Sequence, residues 1–399
     1  MKRVFCCVAL LLLSLRMAPP AAAAVVTVLN NGPAANRVNI VFLGDGYTAG
    51  QIESTYVTHI NAMLNHMFNQ GEDPFVRYQK FFNAYRVNVV SNESGADVPP
   101  LGIYRDTALD ASYYWDGSTE RLLYVNESKA NTALSNALAG TGITAGMKLV
   151  TVNDTRYGGG GGSYAVYAGG HPSAPEVALH ELGHSFSNLA DEYYYTGATY
   201  TGGEPGEVNV TKYSTGEKWT RWLGYTDLAH PGIGAVGAYQ GARYCEYGLY
   251  RPTVTSKMYA LGQPFNAVCR EKIILDIFAR VDPLDAYLNN SSTLVDPGSL
   301  WVDTVDPNVI KLEWKVNGQV VSGAIGETFS LASYGPGTYT VTARAYDDTA
   351  WVRINTNLLQ QSVTWSVLIS VPEPHTLILI LGAGSGLLVL TWRRRRQHN

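Results

Sequence analysis

The chain has 399 residues, which is more than one typical domain needs and predicts two folded units together with targeting segments. Tyrosine outnumbers phenylalanine by 26 to 10 and only 16% of residues are charged, a composition that suits an extracellular protein better than a disordered or coiled-coil one. The formal net charge is −4, and it falls to about −10 when the two predicted targeting segments are removed. An acidic body has no binding surface for nucleic acid, so we exclude nucleic acid as a partner.

Residues 1–24 have the composition of a secretory signal peptide. Lys2 and Arg3 form the positive region, residues 4–15 are apolar, and the small residues at 21–24 provide a cleavage site. The apolar stretch is too short to span a membrane comfortably. We therefore expect an exported protein.

Export also bears on the four cysteines of the chain. Cys6 and Cys7 would leave with the signal peptide, so that Cys245 and Cys269 remain. An even pair in an exported chain predicts one disulfide between them, which would close a loop near the end of the first folded unit. Two buried free thiols are the alternative.

Strands and helices alternate through the first part of the chain. We predict strands over residues 37–43, 85–90, 122–125 and 147–152, and helices over residues 49–68, 128–138 (capped by Ser128) and, after a loop-rich region, 267–281. This alternation predicts an α/β sheet flanked by helices, in a domain that covers residues 25–290.

A run of five glycines at 158–162 follows the last of these strands. The next residues, 163–168, could form a strand at the edge of the sheet, where a substrate peptide would pair with it through main-chain hydrogen bonds. Alternatively, the glycines are only a flexible loop and the strand is an ordinary part of the sheet. The sequence leaves both interpretations open.

Residues 180–184 (HELGH) carry the clearest chemical signal. Residues four apart lie on one face of a helix, so the imidazoles of His180 and His184 can bind one metal ion. Glu181 lies beside that face, where its carboxylate can reach a water on the metal without binding the metal itself. Residues 173–176 (SAPE) provide the start of the helix.

A third ligand must follow the two histidines, because catalytic zinc usually has three protein ligands and a water. Asp191 would lie about 10 Å further along the axis if the helix continued, so the chain must turn back after His184. Asn188 is the residue best suited to the left-handed conformation that ends a helix in this way. We favour Asp191 as the third ligand, with Glu192 and then His230 as alternatives.

These motifs together resemble the IgA-peptidase family of zinc metallopeptidases. The similarity covers about residues 37–280 and rests on residues 43–47, 88–95, 180–193, 250–252, Met258 and 265–271. It implies Zn²⁺ as the cofactor and Glu181 as the catalytic carboxylate, with ligands from both histidines and from the Asp191–Glu192 pair. It also suggests Met258 as a methionine floor beneath the zinc, for which plain core packing is the alternative.

The resulting hypothesis is zinc-assisted hydrolysis of peptide bonds. Zinc would activate a water and polarise the scissile carbonyl, and Glu181 would take the proton of that water and return it to the leaving amine. The developing oxyanion needs a further hydrogen-bond donor. The candidate donors are Tyr193, Tyr194, Tyr195 and His230.

Residues 295–370 predict a second, all-β domain. The alternating runs at 311–316 and 337–346 are typical of strands, and Asn317-Gly318 is a strong hairpin signal. Several short strands at regular spacing indicate a β-sandwich, which resembles the immunoglobulin-like or PKD-like modules of secreted bacterial enzymes. The complete prediction is an α/β (α+β) zincin-like metallopeptidase domain followed by a small all-β sandwich.

Residues 371–399 carry a second targeting signal. A Pro-Glu-Pro sequence at 372–374 precedes an uncharged apolar stretch at 376–392, which is just long enough to span a thin bilayer, and four arginines follow at 393–396. This order resembles a PEP-CTERM sorting signal of Gram-negative bacteria, which implies an exosortase as the processing partner. An ordinary C-terminal membrane anchor is the alternative.

The sequence therefore predicts an exported zinc metalloendopeptidase that acts on extracellular proteins. It would lie at the cell surface or in the extracellular matrix, or be anchored in the membrane and face outward. An alternative is a surface or biofilm-matrix binding protein with a structural or vestigial zinc site. Glu181 argues against it, because a structural site has no use for that carboxylate. Another alternative is a metal hydrolase that acts on a non-peptide bond of a matrix polymer.

Overall fold

A six-stranded sheet organises the first of two units in the computed structural model, which describes residues 24–371. Its strands are β1 (Val25–Leu29), β2 (Val38–Asp45), β3 (Phe82–Val87), β4 (Ala145–Val152), β5 (Gly159–Gly160) and β6 (Ala165–Ala168). Their spatial order is β1-β3-β2-β4-β6-β5, with the four inner strands parallel and both outer strands antiparallel. The second unit begins along the chain at Ile277.

Three helices of this unit pack on the sheet. They are α1 (Val57–Asn69), which continues a π-helical turn at Ile52–Tyr56, α2 (Glu127–Leu138) and α3 (Ala174–Ser187). Helix α3 contacts β4, β5, β6 and α1, whereas Ala130 of α2 joins a core with Val41, Leu43 and Val150. Every residue of β2 and β3 is buried, as is usual for strands that are covered on both faces. The α/β sheet with flanking helices is therefore as predicted.

Two local predictions were wrong. Helix α2 is capped by Asn126, whose side chain accepts a hydrogen bond from Lys129 N at 3.2 Å, and not by Ser128. The strand predicted at residues 122–125 consists only of isolated bridges, which pair Leu122 with Gly159 and Tyr124 with Ser112.

Of the two interpretations left open for residues 163–168, the structure supports an ordinary strand within the sheet rather than an edge strand. Strand β6 pairs with β4 on one side and with β5, which the glycine run supplies, on the other. The outer side of β5 is also covered, because Gly159 N donates to Arg121 O at 3.0 Å and Gly159 O accepts from Leu123 N at 3.2 Å. Strand β6 therefore presents no free main-chain edge to a substrate.

A three-stranded sheet forms within the region that the composition had marked as loops. Its strands are β7 (Tyr194–Thr199), β8 (Tyr239–Ala242) and β9 (Tyr244–Arg251), in the order β7-β9-β8, and helix α4 (Ala267–Phe278) follows. Arg243 and Tyr244 both have positive φ, at 47° and 67°, at the tight turn between β8 and β9. This turn places Tyr244 close to the residues that follow α3.

The second unit is built mainly of strands, as predicted for this region. They are β10 (Leu284–Tyr287), β11 (Leu294–Val295), β12 (Ser299–Thr304), β13 (Lys311–Val316), β14 (Gln319–Val320), β15 (Thr328–Ser330), β16 (Gly337–Tyr346) and β17 (Gln360–Ile369). They form sheets of order β10-β12-β15 and β11-β17-β16-β13-β14. Buried Trp314 stacks on Phe329 of the other sheet at 5.1 Å between ring centroids. The immunoglobulin-like or PKD-like assignment stays a prediction.

Both predicted targeting segments lie outside the described residues, apart from residues 24 and 371 at their borders. These segments include the apolar span predicted at 376–392. Between residues 24 and 371, no helix is long and apolar enough to cross a membrane.

Asp45, at the end of β2, connects the sheet to the long segment between β3 and α2. Its buried carboxylate accepts hydrogen bonds from Leu109 N and Ala111 N at 2.8 Å, from Thr107 Oγ1 at 2.9 Å and from Ser91 Oγ at 3.2 Å. Burial raises the pKa of Asp45, and the hydrogen bonds oppose that rise. Since the connected segment forms one wall of the cleft described below, Asp45 helps to position that wall.

We expect Asp45→Asn to lower the free energy of unfolding by about 2–4 kcal/mol, because an amide NH₂ would face buried N–H and O–H donors. Urea denaturation of the purified protein measures this change. Asp110→Asn is the control, since exposed Asp110 pairs with Lys129 at the surface and its loss should cost less than about 1 kcal/mol. Equal losses in the two variants would contradict the anchoring role of Asp45.

Candidate metal centre and substrate cleft

Helix α3 presents His180 and His184 on one face, as their spacing predicted. Each ring donates its Nδ1 proton to a main-chain carbonyl: His180 to Lys257 O at 2.9 Å and His184 to Leu189 O at 2.6 Å. Because a carbonyl oxygen can only accept, these contacts place the proton of each neutral ring on Nδ1. The two Nε2 atoms, which lie 3.2 Å apart, then direct their lone pairs into the same space.

The chain reverses at Asn188, as predicted. Asn188 has φ 49° and ψ 47°, the left-handed conformation, and Leu189 N donates to Gly183 O at 3.0 Å. This reversal brings Asp191 back to the histidines, with its Oδ1 3.0 Å from His180 Nε2 and 3.3 Å from His184 Nε2. Asp191 Oδ1 is buried and receives no hydrogen bond from the neutral rings.

Three atoms with lone pairs therefore form a triangle with sides of 3.0, 3.2 and 3.3 Å. Such atoms repel one another unless a proton or a metal ion lies among them. Burial alone would lower the pKa of His184, but its pairing with Asp191 raises that pKa to about 9. Ligands at about 2.0–2.1 Å from a tetrahedral metal lie roughly 3.3 Å apart. The residues present thus fit a small divalent metal ion.

Glu181 lies beside this triangle rather than within it. A ligand-type atom of Glu181 lies within 4.8 Å of those of His180 and His184. Burial raises the pKa of Glu181, although both histidines oppose the rise. The glycine run passes over this carboxylate, because a Cβ atom on Gly161 would lie only 2.9 Å from Glu181 Oε2 and from His184 Cβ.

Glu192 does not reach the histidines. It is fully buried, and its carboxylate accepts hydrogen bonds from Ser256 Oγ at 2.7 Å, Asn266 Nδ2 at 2.9 Å, Asn209 Nδ2 at 3.0 Å and Cys269 Sγ at 3.4 Å. Burial raises the pKa of Glu192 against the effect of these donors, all of which are neutral. Glu192 therefore connects four chain segments and is not placed to bind the metal.

Met258 lies directly beneath the histidine helix. It is fully buried, and a Cβ atom on Gly183 would approach its Sδ to 2.6 Å. Its carbonyl oxygen accepts a hydrogen bond from Glu192 N at 2.8 Å. This position fits both predicted alternatives, a methionine floor under the centre and plain core packing.

The four predicted oxyanion donors lie in different places in the structure. Tyr193 and Tyr195 line the cleft, and their hydroxyls accept hydrogen bonds from Arg121 Nη2 at 3.3 and 3.1 Å. Tyr194 is instead packed near Tyr259, at 6.5 Å between ring centroids. His230 directly precedes the 3₁₀ turn Pro231–Ile233 and is not among the residues that line the cleft.

Tyr244 was not predicted from the sequence, yet its hydroxyl donates a short hydrogen bond to Asp191 Oδ2. It also forms a hydrogen bond with the hydroxyl of Tyr193. Main-chain bonds fix this contact, since Arg243 N donates to Asp191 O at 2.9 Å and Tyr244 N to Tyr193 O at 3.0 Å. No local sequence motif indicates a role for Tyr244, because it lies in a turn that is distant along the chain from Asp191.

A buried cluster of four charged or titratable residues supports His180 and was also not predicted. Lys257 Nζ, which is fully buried, lies 2.9 Å from Glu72 Oε1 and 2.5 Å from Glu176 Oε2, and His66 Nε2 lies 3.0 Å from each of these acids. The carbonyl of the same Lys257 accepts the Nδ1 proton of His180. The cluster therefore helps to hold that ring in its orientation.

The predicted disulfide is absent: Cys245 and Cys269 are both free. Cys269 lies at the start of α4 and points to Glu192, whereas Cys245 lies in β9, opposite Tyr195 and Ala242 in the neighbouring strands. The two thiols thus have different surroundings.

The sheet, the histidine helix and the cleft belong to a mixed α/β domain, which is compatible with a peptidase. The family model for IgA Peptidase M64 matches residues 26–232 and 226–277, which together make up more than half of the chain. The chain therefore belongs to the IgA peptidase M64 family, as its resemblance suggested. The PEP-CTERM protein-sorting motif matches residues 370–396, which confirms the predicted sorting signal and implies recognition by an exosortase. No curated protein matches the chain.

We expect a maleimide reagent to label Cys245 in the folded protein, while Cys269 reacts only after denaturation. Cys269 is fully buried, and burial together with Glu192 raises the pKa of its thiol far above the usual range, so it forms little of the reactive thiolate. Peptide mapping locates the label, and labelling with and without prior reduction tests for a disulfide. A requirement for reductant would show that the two cysteines are bridged.

Proposed function

We propose that the protein is an exported zinc-dependent metalloendopeptidase in which His180, His184 and Asp191 hold the metal. The observation that carries this proposal is the triangle of two Nε2 atoms and one Oδ1 atom, with sides of 3.0–3.3 Å. Two imidazoles and a carboxylate leave a fourth tetrahedral position open, as catalytic zinc sites do. Imidazole ligands also favour zinc over magnesium or calcium, which prefer oxygen.

When bound, zinc lowers the pKa of a coordinated water and polarises a carbonyl oxygen. Glu181 is the proposed proton carrier, which takes a proton from the attacking water and returns it to the leaving amine. Burial raises the pKa of Glu181, and a carboxylate with a raised pKa accepts a proton more readily than an ordinary one. The side-chain-free glycine run leaves space for this carboxylate beside the centre.

Tyr193 is the proposed donor to the developing oxyanion, and Tyr244, which donates its own proton to Asp191 Oδ2, is its neighbour. Their hydroxyls form a hydrogen-bonded pair beside Asp191. Burial raises the pKa of Tyr193 to about 12, so its hydroxyl keeps its proton at neutral pH and can donate it in a hydrogen bond. Tyr244 has a raised pKa as well, first through burial and then through Asp191.

The shape of the site supports a peptide substrate. The cleft has a volume of about 1070 Å³ and extends from exposed Trp115, past the glycine run and His184, to Tyr244. Pockets of this size accommodate several residues of an extended chain. The PEP-CTERM motif supports export and sorting as the route by which this site reaches extracellular proteins.

The role of Glu181 is tested by Glu181→Gln, which should keep one zinc ion per chain and lose about 10²–10⁴-fold in the rate of casein hydrolysis. Metal analysis and a protease assay on the same samples measure both properties. Glu53→Gln is the control, since the carboxylate of Glu53 is exposed and pairs with Arg86. A Glu181→Gln protein that cleaves casein as fast as the wild type would refute the mechanism, and a zinc-loaded wild type without activity would favour a structural zinc site.

The third ligand is tested by comparing Asp191→Asn with Glu192→Gln. Asp191→Asn should weaken zinc binding by more than the 10–100-fold that loss of an outer hydrogen-bond partner typically costs, whereas Glu192→Gln should still bind one zinc ion. Competition with a fluorescent zinc chelator gives the affinities, and circular dichroism shows whether each variant is folded. Loss of zinc from folded Glu192→Gln, with retention in Asp191→Asn, would reverse the assignment.

A further inference from the structure

Arg121 crosses the mouth of the cleft above the catalytic centre. Its main chain belongs to the glycine wall, since Arg121 O accepts the hydrogen bond from Gly159 N at 3.0 Å. Its guanidinium reaches the opposite wall, where Nη2 donates to the hydroxyls of Tyr193 and Tyr195. Arg121 and Glu181 line the same pocket.

Arg121 lacks the acidic partner that the neighbouring arginines have. Arg156 pairs with Glu120 at 2.6 Å, and Arg243 lies 3.6 Å from Glu207. Among residues 24–371, Arg121 forms no ion pair with a carboxylate, and its contacts are the two tyrosine hydroxyls and the ring face of Tyr193. The tyrosines hold the guanidinium in place without neutralising it, so its charge is available to a ligand.

The pocket below Arg121 is suited to one substrate side chain. It has a volume of about 300 Å³ and lies between the histidine helix and the chain that follows Met258. Its walls are largely apolar or aromatic, from Tyr157, Val177, Tyr259 and Leu261. Among the described lining residues, Arg121 is the one Lys or Arg and Glu181 the one acid. The proposed function already uses the carboxylate of Glu181 for proton transfer. The charge that remains for substrate binding at the pocket mouth is therefore the positive charge of Arg121.

We propose that Arg121 determines specificity by binding an acidic side chain, Asp or Glu, adjacent to the scissile bond of the peptide substrate. This inference rests on the proposed peptidase function and adds a substrate class to it. An aliphatic stem would pack on the apolar walls, and the terminal carboxylate would accept charge-assisted hydrogen bonds from the guanidinium. The uncharged amide of a Gln side chain, which has the same shape as Glu, would bind the guanidinium less tightly.

The test uses peptides that differ at one position, with Glu or Gln placed in turn on either side of the scissile bond. For the wild type we expect kcat/KM to be about 10–100-fold higher for Glu than for Gln at one of these positions, the range expected for a charge-assisted hydrogen bond. Arg121→Gln should bring this ratio close to one. Arg156→Gln, which removes an arginine outside the pocket, should keep the wild-type ratio.

A binding measurement separates this inference from the proposed function. Fluorescence anisotropy gives the Kd of the same peptides for Glu181→Gln and for Glu181→Gln combined with Arg121→Gln. If the Glu peptide binds more tightly than the Gln peptide and Arg121→Gln removes this difference, the inference is supported even when no peptide is cleaved. Absence of cleavage would then refute only the proposed peptidase function. If the wild type binds and cleaves the Glu and Gln peptides equally well, the inference is wrong. It is also wrong if Arg121→Gln weakens the binding and cleavage of both peptides by the same factor.

Discussion

The reversal of the chain at Asn188 is the constraint on which the rest of the site depends. Its left-handed conformation ends α3 directly after the second histidine and returns the main chain along the helix. Leu189 can then accept the Nδ1 proton of His184, and Asp191 faces both Nε2 atoms. A right-handed residue at this point would continue the helix and carry Asp191 about 10 Å away. Asn adopts the required conformation more readily than most residues, so one turn both orients a histidine and supplies a carboxylate.

The neighbours Asp191 and Glu192 illustrate how surroundings decide the role of a carboxylate. Both are buried, which by itself raises the pKa of each. Asp191 faces two imidazoles, and its pairing with them brings its pKa below the usual range against the effect of burial. Glu192 faces neutral donors that do not overcome burial. One acid thus attracts a cation, while the other holds together the segments around Ser256 and Asn266 on which the centre rests.

Sequence reasoning succeeded where the determining interactions are local. The spacing of His180 and His184 and the turn at Asn188 depend on residues within one helix and its end. It failed where partners are distant in the chain: Tyr244 lies 53 residues from Asp191, and the Lys257 carbonyl lies 77 residues from His180. The disulfide was predicted from the number of cysteines and the compartment, neither of which specifies that Cys269 would face Glu192. Nor could composition reveal that the glycine run, rather than the strand after it, forms the outer strand of the sheet.

The glycine run also explains why selectivity should come from the opposite side of the cleft. Gly159 and Gly161 pass so close to Val177, Glu181 and His184 that a Cβ atom on either would collide with them. A wall without side chains allows the carboxylate of Glu181 to lie beside the candidate metal centre, but it cannot distinguish one substrate side chain from another. Discrimination must therefore depend on the side chains that face this wall. On that side, the hydroxyls of Tyr193 and Tyr195 hold the guanidinium of Arg121, which has no acidic partner among residues 24–371. It lines the same pocket as Glu181, the proposed proton carrier.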